Sequence, residues 1–141
     1  MYMVARLKEV MSYPVNEVVE AYSRAWEFRP ERLEAVFHAM RKLREQSRWV
    51  LALAYGEAAL QRVGTRDILF VEPEIWQWRL LDEFSICAFY AGRVDSAAEK
   101  VTAIVNAPFF KDLPERERER ILKNSENFNR VLSSQKESFK K

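Results

Sequence analysis

Two stretches decide the fold: Val15 to Pro30, VNEVVEAYSRAWEFRP, and Trp49 to Gly64, WVLALAYGEAALQRVG. Laid over one another at a spacing of 34 residues, they match Val15 with Trp49, Val18 with Ala52 and Ala25 with Ala59. In the first, Val15, Val18, Val19, Tyr22, Ala25 and Trp26 fall on one stripe at helical spacing. Arg29-Pro30 ends that run, because proline disfavours a helical residue before it. The second is rich in small side chains, Ala52, Ala54, Ala58 and Ala59, which let a neighbouring helix come close, and Gly64-Thr65-Arg66-Asp67 closes it. A helix recurring at this period is half of a hairpin that cannot bury its apolar face alone and must lean on its neighbours.

The flanking segments supply the other halves. Met1 to Ser12 carries Val4, Leu7, Val10 and Met11 at helical spacing until Tyr13-Pro14 breaks it. Glu31 to Gln46 carries Leu33, Val36, Phe37, Met40 and Leu43, with Glu31 and Glu34 at the end where the helix dipole favours anions, and Ser47-Arg48 makes the turn. Ile68 to Val71 fits no helix and reads as an inserted loop, after which Glu72-Pro73-Glu74 signals a new helix start. Ile75 to Ala91 follows, then a turn at Gly92-Arg93 and a helix from Val94 to Asn106. The equivalent turn positions Ser47 and Gly92 lie 45 residues apart, 11 more than the period, a surplus assigned to the insertion and about a turn of extra helix. Leu113-Pro114 opens a last helix, Glu115 to about Leu132, whose alternating Glu and Arg over 115–120 predicts solvent on most sides.

With only three glycines and no sustained apolar-polar alternation, the chain is expected to be all-α. The expected architecture is a right-handed α-solenoid of three antiparallel helix pairs, about 1–29, 30–64 and 73–107, closed by a capping helix over 114–132. These form one domain, 1–132, followed by a polar tail, 133–141, expected to fray. Because the first helix begins at once, its apolar side is expected to face a missing preceding repeat, as in a fragment of a longer protein, and that uncapped helix offers a route to a homodimer.

Composition narrows the function. An apolar content of 48% over 141 residues supports a real core, and 23 basic against 21 acidic residues leave a net charge of only +2, too balanced for a nucleic-acid binder. The single cysteine, Cys87, excludes an internal disulfide framework and suits a reducing compartment, so a cytoplasmic location is expected. No apolar run is long enough to span a membrane. Catalysis has little to draw on. His38 is the sole histidine, Cys87 sits in the most apolar helix, and Glu72 and Glu74 are explained by a helix start; no metal site, cofactor or phosphate loop is expected.

The period is that of the tetratricopeptide repeat. That template's first-helix tryptophan and glycine are absent, their places taken by Val36, Met40, Leu81 and Ser85. More specifically, Tyr22 to Ala35, YSRAWEFRPERLEA, and Ile68 to Ser85, where FVEPE leads into WRLLDEFS, resemble the tetratricopeptide-like segment found behind the catalytic domain of bacterial and viral glycosyltransferases. The resemblance covers most of residues 13–125. It implies a non-catalytic accessory module whose chemistry resides in a separate domain with an Asp-x-Asp motif, which this chain lacks.

The first helices of stacked pairs line the concave side of such a repeat array. By template position the lining residues are Glu34, Phe37, Arg41 and Arg44 from one repeat, and Arg79, Asp82, Ile86, Phe89 and Tyr90 from the next. A mixed aromatic and basic groove of this kind suits a protein or an extended peptide, with arginine forks giving orientation and rings giving area. A glycan acceptor is the alternative occupant.

Overall fold

Each helix of the chain starts or stops where a residue removes the backbone's choice. The computed structural model describes residues 1–30, 33–63 and 73–139; the inserted segment Ile68 to Val71 and the closing turn Gly64 to Asp67 lie outside the described residues. Among the described residues there are seven α-helices and no strand. They are α1 (Tyr2–Val10), α2 (Val15–Phe28), α3 (Leu33–Glu45), α4 (Trp49–Val63), α5 (Pro73–Tyr90), α6 (Val94–Val105) and α7 (Glu115–Phe139), with a 3-10 turn at Pro108–Asp112 before α7. The bounds of α2 and α4 coincide with those expected from the sequence. Pro14 caps α2 by accepting the Glu17 and Val18 amides through its carbonyl, and Arg29, whose amide bonds to the Ala25 carbonyl, is the last residue before Pro30 stops the helix.

The turns from α1 to α2, α3 to α4 and α5 to α6 share one geometry. In each, one residue takes a left-handed conformation, Ser12 and Ser47 at φ 57° and Gly92 at φ 87°. The amide that follows then reaches back five residues: Tyr13 to the Lys8 carbonyl at 3.0 Å, Arg48 to Leu43 at 2.9 Å and Arg93 to Ala88 at 2.8 Å. This closure satisfies carbonyls that the helix end would otherwise leave bare. Sequence reading finds the Ser47 and Gly92 turns but not the one at Ser12, because Pro14 offers a sufficient reason for a break there.

Successive helices pack on one another along the chain, and α3 also packs against α5. A main core runs from α2 to α7 through fully buried Met40, Leu43, Leu80, Val101, Ile104 and Ile121. A smaller cluster around Tyr22, with Ala5, Ala35 and Ala39, holds α1 to α2 and α3. The small residues of α4 serve as expected from their size: Ala52 and Ala59 are buried, and Gly56 lies so near α3 and α5 that a Cβ there would sit 2.7 Å from Met40 Cε and 2.6 Å from Phe84 Cδ2. Alanine is the better helix former by about 1 kcal/mol. Gly56→Ala is nevertheless expected to lower stability by about 1–2 kcal/mol, because both neighbours are buried and overpacking of a filled core costs more than propensity returns. Chemical denaturation measures this, and a stabilised variant would refute the close contact.

The last helix departs from expectation. It runs on to Phe139 instead of ending near Leu132, so residues 133–139 are helical rather than a frayed tail. Most of its residues are exposed, as the charge alternation leads one to expect, while on the inner side Ile121 and Phe128 are buried and the Phe128 ring stacks on Phe89 of α5 at 4.4 Å.

Candidate functional site

A row of ion pairs joins the odd-numbered helices. Glu9 of α1 accepts from Arg41 of α3, Arg44 of α3 donates to Glu83 of α5, and Arg120 of α7 donates to Asp82 of α5. The last contact is a two-pronged fork, Nη1 to Oδ1 at 3.1 Å and Nη2 to Oδ2 at 2.6 Å, and Nη2 also reaches Glu117 at 2.7 Å. Planar guanidinium groups suit such bridges because their donors match a carboxylate edge. Each connects residues more than 30 positions apart, so no local periodicity announces it.

The Glu9 end is the most densely bonded. Its carboxylate accepts from the Tyr22 hydroxyl and Arg41, and from Arg6 at 3.4 Å, while Arg41 also donates to Glu45 at 2.9 Å. Burial works against the charge, but the hydrogen bonds from Tyr22 and Arg41 and the adjacent cations win, holding the Glu9 carboxyl down at about 2. Asp82 and Glu83 balance the other way. Burial raises both carboxyls above the usual range in spite of the facing Arg120 and Arg44.

Beside the Arg44–Glu83 and Arg120–Asp82 bridges, a groove of about 730 Å³ opens between α3, α5 and the start of α7. Of the nine residues expected to line it, Phe37, Arg41, Arg44, Arg79, Asp82 and Ile86 do so. The other three lie elsewhere. Glu34 borders a separate hollow with Met3 and Phe28, Phe89 stacks on Phe128, and Tyr90 stacks on Trp49 at 4.7 Å. Sequence reading missed the opposite wall, formed by Leu113, Pro114, Arg116, Glu117 and Arg120, because the alternation over 115–120 has the signature of a solvated face. Trp78 lies largely buried in the groove floor, with the Arg79 guanidinium 5.7 Å from its ring centre.

The wall carries five arginines, Arg41, Arg44, Arg79, Arg116 and Arg120, against three carboxylates, Asp82, Glu83 and Glu117, a balance of +2. Since the carboxylates are already bridged by Arg44 and Arg120, a ligand meets an apolar floor with basic edges. Such a surface is complementary to acidic and apolar side chains.

Two of the groups that sequence reading weighed as reactive, Cys87 and His38, are internal. Cys87 is fully buried, and burial pushes its thiol up to about 12, the wrong direction for a thiolate nucleophile. His38 stacks on Tyr22 at 5.2 Å, and its Nδ1 lies 3.1 Å from Arg41 Nη2. Burial, followed by the charges of Arg41 and Arg6, lowers it to about 4 and leaves it neutral at pH 7. Among the described residues no group of His, Cys, Asp or Glu is placed to hold a metal ion, and no helix is long and apolar enough to cross a membrane. Comparison with known proteins gives no matching family, no matching curated protein and no matching solved structure.

Proposed function

We propose that this chain is a non-catalytic scaffold of tetratricopeptide-like helix pairs, arranged as a right-handed α-solenoid, that holds an extended segment of a partner protein in the groove between α3, α5 and α7. The groove itself carries the reading: it runs along helices of one row, its floor is apolar, and its carboxylates are committed to neighbouring helices. The thrice-repeated hairpin turn and the bridges from α1 to α3, α3 to α5 and α5 to α7 support the repeat architecture. The sequence resemblance adds the setting, an accessory module of a glycosyltransferase-type protein; much of the FVEPE stretch that carries it falls outside the described residues.

Arg79 and Arg116 are the test positions, since both are exposed at the groove whereas Arg41 is tied to Glu9. Peptides selected for binding by display against the wild-type chain are expected to bind Arg79→Glu/Arg116→Glu at least roughly tenfold more weakly, the loss of about one charge-assisted contact. Helical circular dichroism should not change. Equal affinity for both proteins would remove the groove as the binding surface.

A further inference from the structure

Helix α1 is mounted with its polar side inward. Tyr2, Ala5, Arg6 and Glu9 face the body of the protein, where Glu9 is bonded to Tyr22 and Arg41. The other side presents Met1, Met3, Val4, Leu7, Val10 and Met11, each more than half exposed. These six are half of all the large apolar side chains exposed among the described residues. A contiguous apolar surface of this sort, held in place by buried hydrogen bonds, marks a contact surface.

We propose that this face joins two copies of the chain in a symmetric, head-to-head dimer, α1 of each copy lying along the groove between α1 and α2 of the other. The occupant follows from what borders that groove, a space of about 580 Å³ lined by Val4, Lys8, Glu17 and Glu20 among others. An isologous contact needs one patch that carries both signs, so that each charge meets its opposite across the two-fold axis. Lys8 and Glu17 meet that need: they face the same groove from different helices, and neither forms an ion pair among the described residues, the Lys8 ammonium lying 5.6 Å from the Tyr13 ring centre. A head-to-tail assembly lacks a counterpart, because α7 exposes only Leu122 and Phe139 as large apolar groups. An anionic lipid surface finds no net attraction here, because Glu17 and Glu20 offset Lys8 and Arg24 on the rim. The proposal is independent of what occupies the α3–α5–α7 groove, and the surfaces share no residue.

Sedimentation equilibrium of the full chain is expected to show a monomer–dimer equilibrium. Leu7→Glu should raise the dissociation constant by roughly tenfold or more, the equivalent of losing one buried leucine, with helicity intact because Leu7 contributes nothing to the core. Lys8→Glu and Glu17→Lys should each weaken the dimer, and Lys8→Glu/Glu17→Lys together should restore it. A wild-type monomer, a dimer indifferent to Leu7→Glu, or charge reversal without rescue would overturn the proposal. Binding of a monomeric protein to phosphatidylcholine–phosphatidylserine vesicles would overturn it in favour of a membrane role.

Discussion

Arg44→Ala is expected to destabilise the fold by about 3–5 kcal/mol, the usual cost of leaving a buried charge without its partner. The side chain of Glu83 is only 5% exposed, and Arg44 is the cation that reaches it from α3. Removing the arginine leaves the carboxylate at the junction of α3 and α5 without the main charge that opposes burial, so its already raised pKa rises further. The sign of the pH dependence follows. A carboxyl whose folded pKa lies above its unfolded value contributes stability below the unfolded pKa and loses it as pH rises through the folded one, so the variant should recover part of its deficit near pH 4–5. Arg44→Leu/Glu83→Leu, which removes both charges, is expected to stay close to wild type, since well-packed apolar replacements of buried pairs are often neutral or better. Urea denaturation of the three proteins separates these outcomes. A loss under about 1 kcal/mol for the single variant, the size of an exposed surface pair, would show that the bridge does not hold the two helices.

Acid should unfold this protein through its one histidine. The His38 pKa of about 4 lies below the unfolded value of 6.5, so the neutral ring stabilises the fold above pH 6.5, and that contribution is lost as pH falls toward 4. The shift corresponds to roughly 3 kcal/mol. Burial is the larger cause, and Arg41 adds to it: its guanidinium can only donate to Nδ1, so a proton on that nitrogen would be forced against a cation. Glu9 adds a second step. Its depressed carboxyl stabilises the fold above its ordinary pKa of 4.5 and gives that up as pH drops toward about 2. His38→Gln, which keeps an acceptor for Arg41, is expected to flatten stability between pH 6.5 and 4 while leaving the lower step in place. Ring-proton resonances of the sole histidine report its titration directly, and a midpoint near 6.5 would contradict the buried site.

What could be read from the sequence was whatever a single helix decides for itself. Pro14, Pro30, Ser47 and Gly92 fix ends and turns locally, and the stripes of α2 and α3 point to buried Val18, Tyr22, Val36 and Met40 as observed. Face assignment carried over well enough to place six of nine expected groove residues on one surface. Pairing did not carry over. Periodicity says which side of a helix looks inward but not which atom it meets, and thus Arg41, Arg44 and Asp82 read as open to a ligand although each is held by another helix. Phe89 and Tyr90 mislead for a related reason. They lie at the far end of α5, where their rings serve the contacts with α7 and α4. The outermost helix was hardest, since the Arg120 that clasps Asp82 sits in a string of alternating charges no different from a solvated one.

The side of the molecule that carries the bridges is fastened differently from the side that carries α4. Around Gly56 and Ala52 the backbones are spaced by steric contact, which resists compression steeply and is indifferent to ions. Along the groove, guanidinium–carboxylate bridges are added to the apolar contacts of Phe89, Ile121 and Phe128. Dissolved salt therefore weakens the bridges beside the groove and leaves the packing around α4 untouched, and a carboxylate-rich segment entering the groove would compete for the same arginines.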